Sequence, residues 1–217
     1  MIKVNKNIID KKSFYYFAVS MGIDSVAGFL YLKNKSYNVI PIHVNHCLRP
    51  QNTLMEQKYL ELCRYIGSEP KIFKGHKLKT ELDCRNFRIS SFSKLSNSHS
   101  KIITAHHLND WVESYILNCI RGNPDHKNFS LVSRFENFFI IHPFLLTKKK
   151  DFETYLIRNN YFKFVVEDET NKNFKGSRRN WVRNFLIPQM KTQKLSLEKY
   201  AKRSITKLTE EFNLVKI

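Results

Sequence analysis

The residues best suited to do chemistry are Ser20-Met21-Gly22-Ile23-Asp24-Ser25, a small polar turn between the apolar run 14–19 and a helix expected over 25–33. A turn that leaves a strand and opens a helix presents backbone N–H groups and the positive end of the helix dipole to an anion. Ser20 and Ser25 add hydroxyls, Gly22 permits close approach of the backbone, and the main chain at Met21 and Ile23 completes a phosphate cradle. Asp24 repels an anion, so its natural partner there is a magnesium ion carried by phosphate oxygens. Asp24 and Ser25 are also ordinary helix-capping residues, and the turn alone leaves both readings open.

A second cluster, Ala105-His106-His107-Leu108-Asn109-Asp110-Trp111-Val112-Glu113, sets two carboxylates three residues apart. That spacing puts Asp110 and Glu113 on one face at the start of a helix. Such a pair holds Mg²⁺ or an ammonium group, or merely suits the helix dipole. His106 and His107 have metal-ligand chemistry, but adjacent side chains diverge and no third ligand stands at useful spacing, so zinc is not expected. Arg85 and Arg88, three apart on a helix expected over 80–95, offer planar guanidinium forks to phosphate oxygens. Arg179 and Arg183, within Ser177-Arg-Arg-Asn-Trp-Val-Arg-Asn184, do the same; for both pairs a solvated basic helix face is the plainer alternative.

These groups need elements to position them. Short apolar runs at 14–19, 39–44, 71–73 and 101–104 alternate with segments of helical spacing at 25–33, 53–66, 80–95 and 110–121. This rhythm predicts an α/β fold with a parallel twisted sheet covered by helices on both faces. In such sheets ligands bind beyond the carboxyl ends of the strands, where the polar segments 20–25, 43–46 and 105–110 should converge. Residues 122–135 read as a loop or flap, 138–144 as an extended segment, 148–160 as a helix, 161–166 as extended and 167–171 as an acidic turn. Beyond Pro188 the apolar positions Leu195, Leu197, Tyr200, Ile205, Leu208 and Phe212 predict a terminal amphipathic helix. The expected organisation is a catalytic domain over 1–190 and a basic helical tail over 191–217.

Lys and Arg number 37 against 19 Asp and Glu, a formal charge of +18. That excess points to a polyanionic partner, foremost nucleic acid, although 26 of the cations are lysines in a composition that also follows A/T-rich codons. No apolar run long enough to cross a membrane occurs and the start lacks a secretory pattern, so a cytoplasmic protein without a membrane partner is expected. Cys47, Cys63, Cys84 and Cys119 stand singly, which speaks against zinc ribbons, iron–sulfur sites and disulfide frameworks.

Taken in order, the motifs resemble the tRNA(Ile)-lysidine synthetases, a branch of the N-type ATP pyrophosphatase, or PP-loop, family. The phosphate loop S-G-G-x-D-S is similar to Ser20 to Ser25, H-V-N-H to His43 to His46, and A-R-x-x-R-Y to Cys84 to Ile89. T-A-H-H-x-x-D-x-x-E-T is similar to the stretch from Thr104 to Ser114, with Arg121-Gly122 following. R-P-L-L resembles His142-Pro-Phe-Leu, W-x-E-D-x-S/T-N resembles Val166 to Asn171, and R-N-x-x-R is Arg179 to Arg183.

The resemblance implies a carbon–nitrogen ligase that uses ATP and Mg²⁺ on an isoleucine tRNA with a CAU anticodon. The wobble cytidine O2 would be adenylated with loss of pyrophosphate, and free lysine would then displace AMP to form lysidine. Ser20, Gly22 and Ser25 would cradle phosphate, Asp24 would hold Mg²⁺, and His43 and Asn45 would border the nucleotide. Asp110 and Glu113 would fix the lysine ammonium. Arg85, Arg88, Arg179 and Arg183 would hold tRNA or activated phosphate, with His106 and Arg121 on the substrate side. The assembly is left open, a homodimer included.

Three departures stand out. Met21 replaces a loop glycine, which predicts a negative φ there, since a methionine at positive φ is strained. Asn123-Pro-Asp-His126 replaces a glycine-rich continuation. The sequence also stops soon after the catalytic segment, so the basic tail is expected to substitute for further tRNA-selecting domains. Competing readings are a thiolating relative or a 7-cyano-7-deazaguanine synthase, both disfavoured by the scattered cysteines. A silent tRNA-binding module is disfavoured by carboxylates that would repel RNA.

Overall fold

Strand β1 (Phe14–Ala18) separates two cores by simple alternation. Tyr15 and Phe17 are fully buried on one face, while Tyr16 and Ala18 pack on the other against Ile42, Phe92, Ile102 and Phe138. The structure is a computed structural model and describes residues 1–95, 99–125, 129–167 and 177–215.

Helix α1 (Ile23–Asn34) leads into β2 (Asn38–Asn45), α2 (Gln51–Ile66) into β3 (Ile72–Lys74), and α3 (Glu81–Ser93) into β4 (Ser100–Ile103). Helix α4 (Leu108–Ile120) precedes β5 (Val132–Arg134) and β6 (Phe138–Ile141), followed by α5 (Lys149–Arg158). Next come the short helix α6 (Arg178–Trp181), a π-helical turn over Val182–Leu186, α7 (Ile187–Thr192) and α8 (Glu198–Val215). The strand order is β3-β2-β1-β4-β6-β5, with β1, β2, β3, β4 and β6 parallel. The expected α/β architecture is therefore present.

From β1 the chain runs outward to β2 and β3, then returns to β4 on the other side of β1. The sheet thus has its topological switch between β1 and β4, where a crevice opens beyond the carboxyl ends. Helix α1 lies close to the sheet because Gly28 has no side chain. A Cβ there would sit 3.1 Å from Phe17 and 3.2 Å from Phe144.

Two expectations are corrected. Residues 122–135 are not all loop, since Val132–Arg134 pairs antiparallel with β6 and makes an antiparallel edge to the sheet. Residues 161–166 are not extended; Phe162–Phe164 is a 3₁₀ turn, drawn in because Phe164 and Tyr161 pack against Tyr65 of α2. The tail helix is present as α8, and its Ala201 and Ile205 are buried in the main core. The N-terminal arm braces it: Asn5 donates from Nδ2 to Thr209 Oγ1 at 3.0 Å, and Ile2, Ile8 and Ile9 are buried. No described helix is long and apolar enough to cross a membrane. His126 of the Asn123-Pro-Asp-His departure and Asp168 to Asn171 of the acidic turn lie outside the described residues.

Candidate active site

The turn after β1 is ordered by its own hydroxyls. Ser20 donates its main-chain N–H and its Oγ–H to Ser25 Oγ, both at 3.1 Å, and Ser25 Oγ donates to Gly22 O at 3.0 Å. Gly22 is the N-cap residue of α1 and no side chain caps that end, which leaves the helix opening with the character of an anion site. Met21 departs from the sequence expectation. Its φ is +65°, its side chain is fully buried, and its carbonyl accepts the Val166 N–H at 2.9 Å. The loop keeps the left-handed turn that a glycine would make, at a cost of about 1–2 kcal/mol for a residue with a Cβ.

Asp24 points from the first turn of α1 toward the segment after β4. Its Oδ1 is buried and lies 3.4 Å from His107 Nε2. His107 is the N-cap residue of α4. Its main-chain N–H donates to Asp110 Oδ2 at 2.9 Å, and its Nδ1 faces the Asp110 N–H and Oδ2, both at 3.4 Å. A carboxylate–imidazole–carboxylate chain, Asp24–His107–Asp110, therefore ties the turn after β1 to α4. Burial opposes charge on both partners, but each outweighs it for the other: His107 is held above its ordinary value by Asp110 and Asp24, and Asp110 below its own by His107 and His106.

Glu113, only 2% exposed, is met by a fork from Arg183, Nε to Oε1 at 2.7 Å and Nη2 to Oε2 at 2.8 Å. The same guanidinium lies 3.5 Å from Asp110 Oδ1. Arg183 projects from the π-helical turn, a local widening frequent at functional sites. One helical turn earlier, Arg179 Nη2 donates to Ser114 Oγ at 3.0 Å. The expectation that Arg183 grips phosphate is revised, because its fork is already engaged by a protein carboxylate.

His43 and Asn45 also serve inward. His43 is stacked on Tyr59 and its Nδ1 lies 2.7 Å from Val19 O; burial keeps it below its ordinary pKa, hence a neutral donor. Its Nε2 is buried and has no hydrogen-bond partner among the described residues, so one polar atom remains for a ligand beside β1. Asn45 joins Glu56 Oε2 at 2.7 Å to the Cys47 N–H at 2.8 Å, and Glu56 in turn pairs with Lys74 at 2.7 Å. Arg85 and Arg88 are exposed on α3 with no ion-pair partner among the described residues; the charge of Arg88 is felt by His46 and His106. Arg121 is not brought to the site. It caps the far end of α4, about 16 Å of helix from Asp110.

His106 forms a cluster that the sequence did not announce. Thr104 Oγ1 lies 2.9 Å from His106 Nδ1 and 2.6 Å from His142 Nδ1, and Phe129 packs edge-on to both rings. Burial holds His106 at about 4 and His142 at about 3, so both are neutral. His107 too was missed as an anchor. The signal was available: a polar residue three before an acid at a helix start is a capping-box pattern.

The donor set fits a magnesium ion brought in on phosphate. Mg²⁺ takes one or two protein carboxylates and fills its octahedron with phosphate oxygens and water, and the Asp24 carboxylate, a third exposed and turned to His107 through Oδ1, stands beside the turn after β1.

A family model described as the PP-loop domain matches residues 2–190. The chain belongs to the PP-loop domain family. PP-loop enzymes use ATP, in keeping with the open N-terminus of α1 after β1. Curated relatives named tRNA(Ile)-lysidine synthase match from Streptococcus mutans, 31% identical over 98% of this chain and 50% of that one, and from Thermotoga maritima, 32% identical over 90% and 50%. The chain spans about half the length of the curated relatives it matches. Among solved PP-loop structures, the U34-tRNA thiolase NcsA from Methanococcus maripaludis, with its [4Fe-4S] cluster, superposes with a TM-score of 0.70 at 15% identity, covering 96% of this chain and 75% of that one. At that identity the likeness speaks for the fold.

Proposed function

We propose that this PP-loop domain adenylates a wobble cytidine of tRNA(Ile) with ATP and then joins free lysine to it, as the catalytic part of a tRNA(Ile)-lysidine synthetase. The observation that carries the reading is the Asp24–His107–Asp110 chain. It places a carboxylate on each side of a buried imidazole and so fixes the distance between a phosphate-binding turn and a cation-binding helix end. A reaction that activates one partner at phosphorus and then presents a cationic nucleophile needs both ends held together.

In the first step the cytosine O2 attacks the α-phosphorus and pyrophosphate leaves; the turn Ser20 to Ser25 receives the departing charge. Magnesium, held by Asp24, would supply neutralisation of that charge. In the second step the lysine ε-ammonium gives a proton to water, the free amine forms a bond to C2, and the C2–O2 bond breaks so that AMP leaves with O2. Asp110 is the better-placed receptor for the ammonium, because the Glu113 carboxylate is already matched by Arg183. The Arg183–Glu113 pair then acts as the wall that aims Asp110.

Sulfur transfer is the second reading, favoured by the thiolase fold. It is weighed down by cysteines that stand singly in the sequence and differ in setting, Cys63 buried and Cys47 and Cys119 exposed. Among the described residues no group of three His, Cys, Asp or Glu is placed to hold a metal ion. The deciding experiment incubates the protein with Mg-ATP, labelled lysine and an unmodified tRNA(Ile) transcript bearing CAU. ATP-dependent label in RNA that disappears in Asp110→Ala supports the ligase. RNA-dependent pyrophosphate release without label keeps adenylation and replaces the nucleophile. Absence of both sinks the reading.

A further inference from the structure

The segment Arg178-Arg-Asn-Trp-Val-Arg-Asn-Phe-Leu186 has two faces with different work. Arg179, Val182 and Arg183 turn toward α4, Val182 fully buried. Trp181 and Phe185, one turn apart, point the other way and are 39% and 46% exposed. Their ring centroids are 5.8 Å apart at 31°, and among the described residues neither ring packs on another aromatic. A core would have absorbed two such rings, each worth a large apolar area.

What surrounds the pair says what it receives. From Ser177 to Ser196 the chain carries five Lys or Arg and no Asp or Glu, within a protein of formal charge +18. A polyanion with flat, apolar faces suits both features, and an unpaired nucleobase on a phosphate backbone is that ligand. The neighbouring Leu186 and Ile187 are turned partly inward, so the exposed surface is aromatic more than aliphatic. That favours stacking over insertion into lipid.

Position gives the pair a task. Arg183, between Trp181 and Phe185 in sequence, contacts Glu113, so platform and carboxylate site ride on one helix about 10 Å apart across its width. An enzyme that reaches O2 and C2 of a loop base must take that base out of its stack and leave a neighbour unstacked. We infer that Trp181 and Phe185 form a stacking platform for an unpaired nucleobase of the RNA loop, next to the one being modified. The inference rests on the proposed tRNA chemistry and names how its RNA is held.

The test uses the intact protein, an RNA stem–loop with CAU in its loop and a fully paired duplex of the same composition. Trp111 is fully buried, so emission lost in Trp181→Leu is the Trp181 signal. Stem–loop binding should quench that signal. Trp181→Leu and Phe185→Leu should each weaken stem–loop affinity about tenfold, the scale of one stacked base, while Trp181→Phe restores most of it. Duplex affinity and the salt dependence of binding should stay unchanged, since no phosphate contact is removed. Unquenched emission and unchanged affinity, with RNA-dependent pyrophosphate release intact, overturn the platform and leave the proposed function standing. A wild-type protein that neither prefers the stem–loop nor releases pyrophosphate with it overturns both. If the variants instead alter sedimentation or binding to phosphatidylserine vesicles at constant stem–loop affinity, the face belongs to a second copy or a membrane and the platform is rejected.

Discussion

Arg183 and Glu113 meet as two parallel hydrogen bonds, 2.7 and 2.8 Å, with the carboxylate 2% exposed and the guanidinium a quarter exposed. A fork of this kind is strong because charge and shape agree, yet its members cannot be removed singly without leaving a charge in a dry place. Arg183→Ala should therefore destabilise the protein by about 3 kcal/mol. Glu113→Gln with Arg183→Ala, which removes both charges, should recover part of that loss. Urea unfolding of the four members of the cycle checks it; equal stability of Arg183→Ala and wild type would show that the pair contributes nothing.

Met21 gives a prediction whose sign is unusual. At ordinary φ, glycine in place of alanine costs about 1 kcal/mol through chain entropy. At φ +65° the preference reverses, because the Cβ itself is strained. Both Met21→Gly and Met21→Ala lose a fully buried side chain and should fall by about 2–4 kcal/mol. Met21→Gly should nevertheless be the more stable of the two by about 1 kcal/mol. Thermal and urea unfolding of the two variants decide it, and the reverse order would place the loop outside the left-handed region in solution.

The frame of the site was readable because strand ends carry it. The polar stretches after β1 and β4 had to converge once the alternation of apolar runs specified a parallel sheet, and Asp24 and Asp110 do meet through His107. Pairings across the fold were not readable. Nothing in the spacing of Glu113 and Arg183, seventy residues apart, says that they neutralise each other. His142 stands near the end of the expected extended segment 138–144, and it is a partner of Thr104 because β4 and β6 are neighbours in register, Ile103 opposite Ile141. The sign of φ at Met21 was misjudged for a related reason. Local strain argued for a negative value, whereas burial of the side chain and the Val166 bond to its carbonyl outweigh it.

The Thr104, His106 and His142 cluster should make the fold acid-labile. Both imidazoles ordinarily titrate near 6.5, and burial lowers His106 to about 4 and His142 to about 3. Below 6.5 the unfolded chain takes up protons that the folded one refuses, so stability falls as pH drops from 6.5 toward 4. Each ring should account for about 1–2 kcal/mol at pH 5. His142→Gln removes one of them: it should start less stable near neutrality and lose less on acidification. Parallel stability curves for the variant and wild type between about pH 7 and 5 would exclude His142 as a source of the slope.

Asp24 and His107 separate chemistry from folding. Asp24 Oδ1 meets His107 Nε2 only at 3.4 Å, so Asp24→Asn should change stability by less than about 1 kcal/mol near neutrality. Its catalytic cost should be far larger, a fall of about 10²–10³ in RNA-dependent pyrophosphate release, if the carboxylate holds the phosphate-bound cation. The same substitution removes one of the three carboxylates, Asp110, Asp24 and Glu113, that keep His107 above its ordinary value against the opposing effect of burial. A raised histidine contributes stability that is fully present below its unfolded value of 6.5 and is lost as pH rises through the folded value. In Asp24→Asn the folded value should drop, moving that loss to lower pH, and the His107 resonance in an NMR titration should report the drop directly. An unchanged His107 titration with activity still abolished would assign Asp24 to the cation alone; unchanged activity would remove Asp24 from the chemistry and leave it as a first-turn acid suited to the helix dipole.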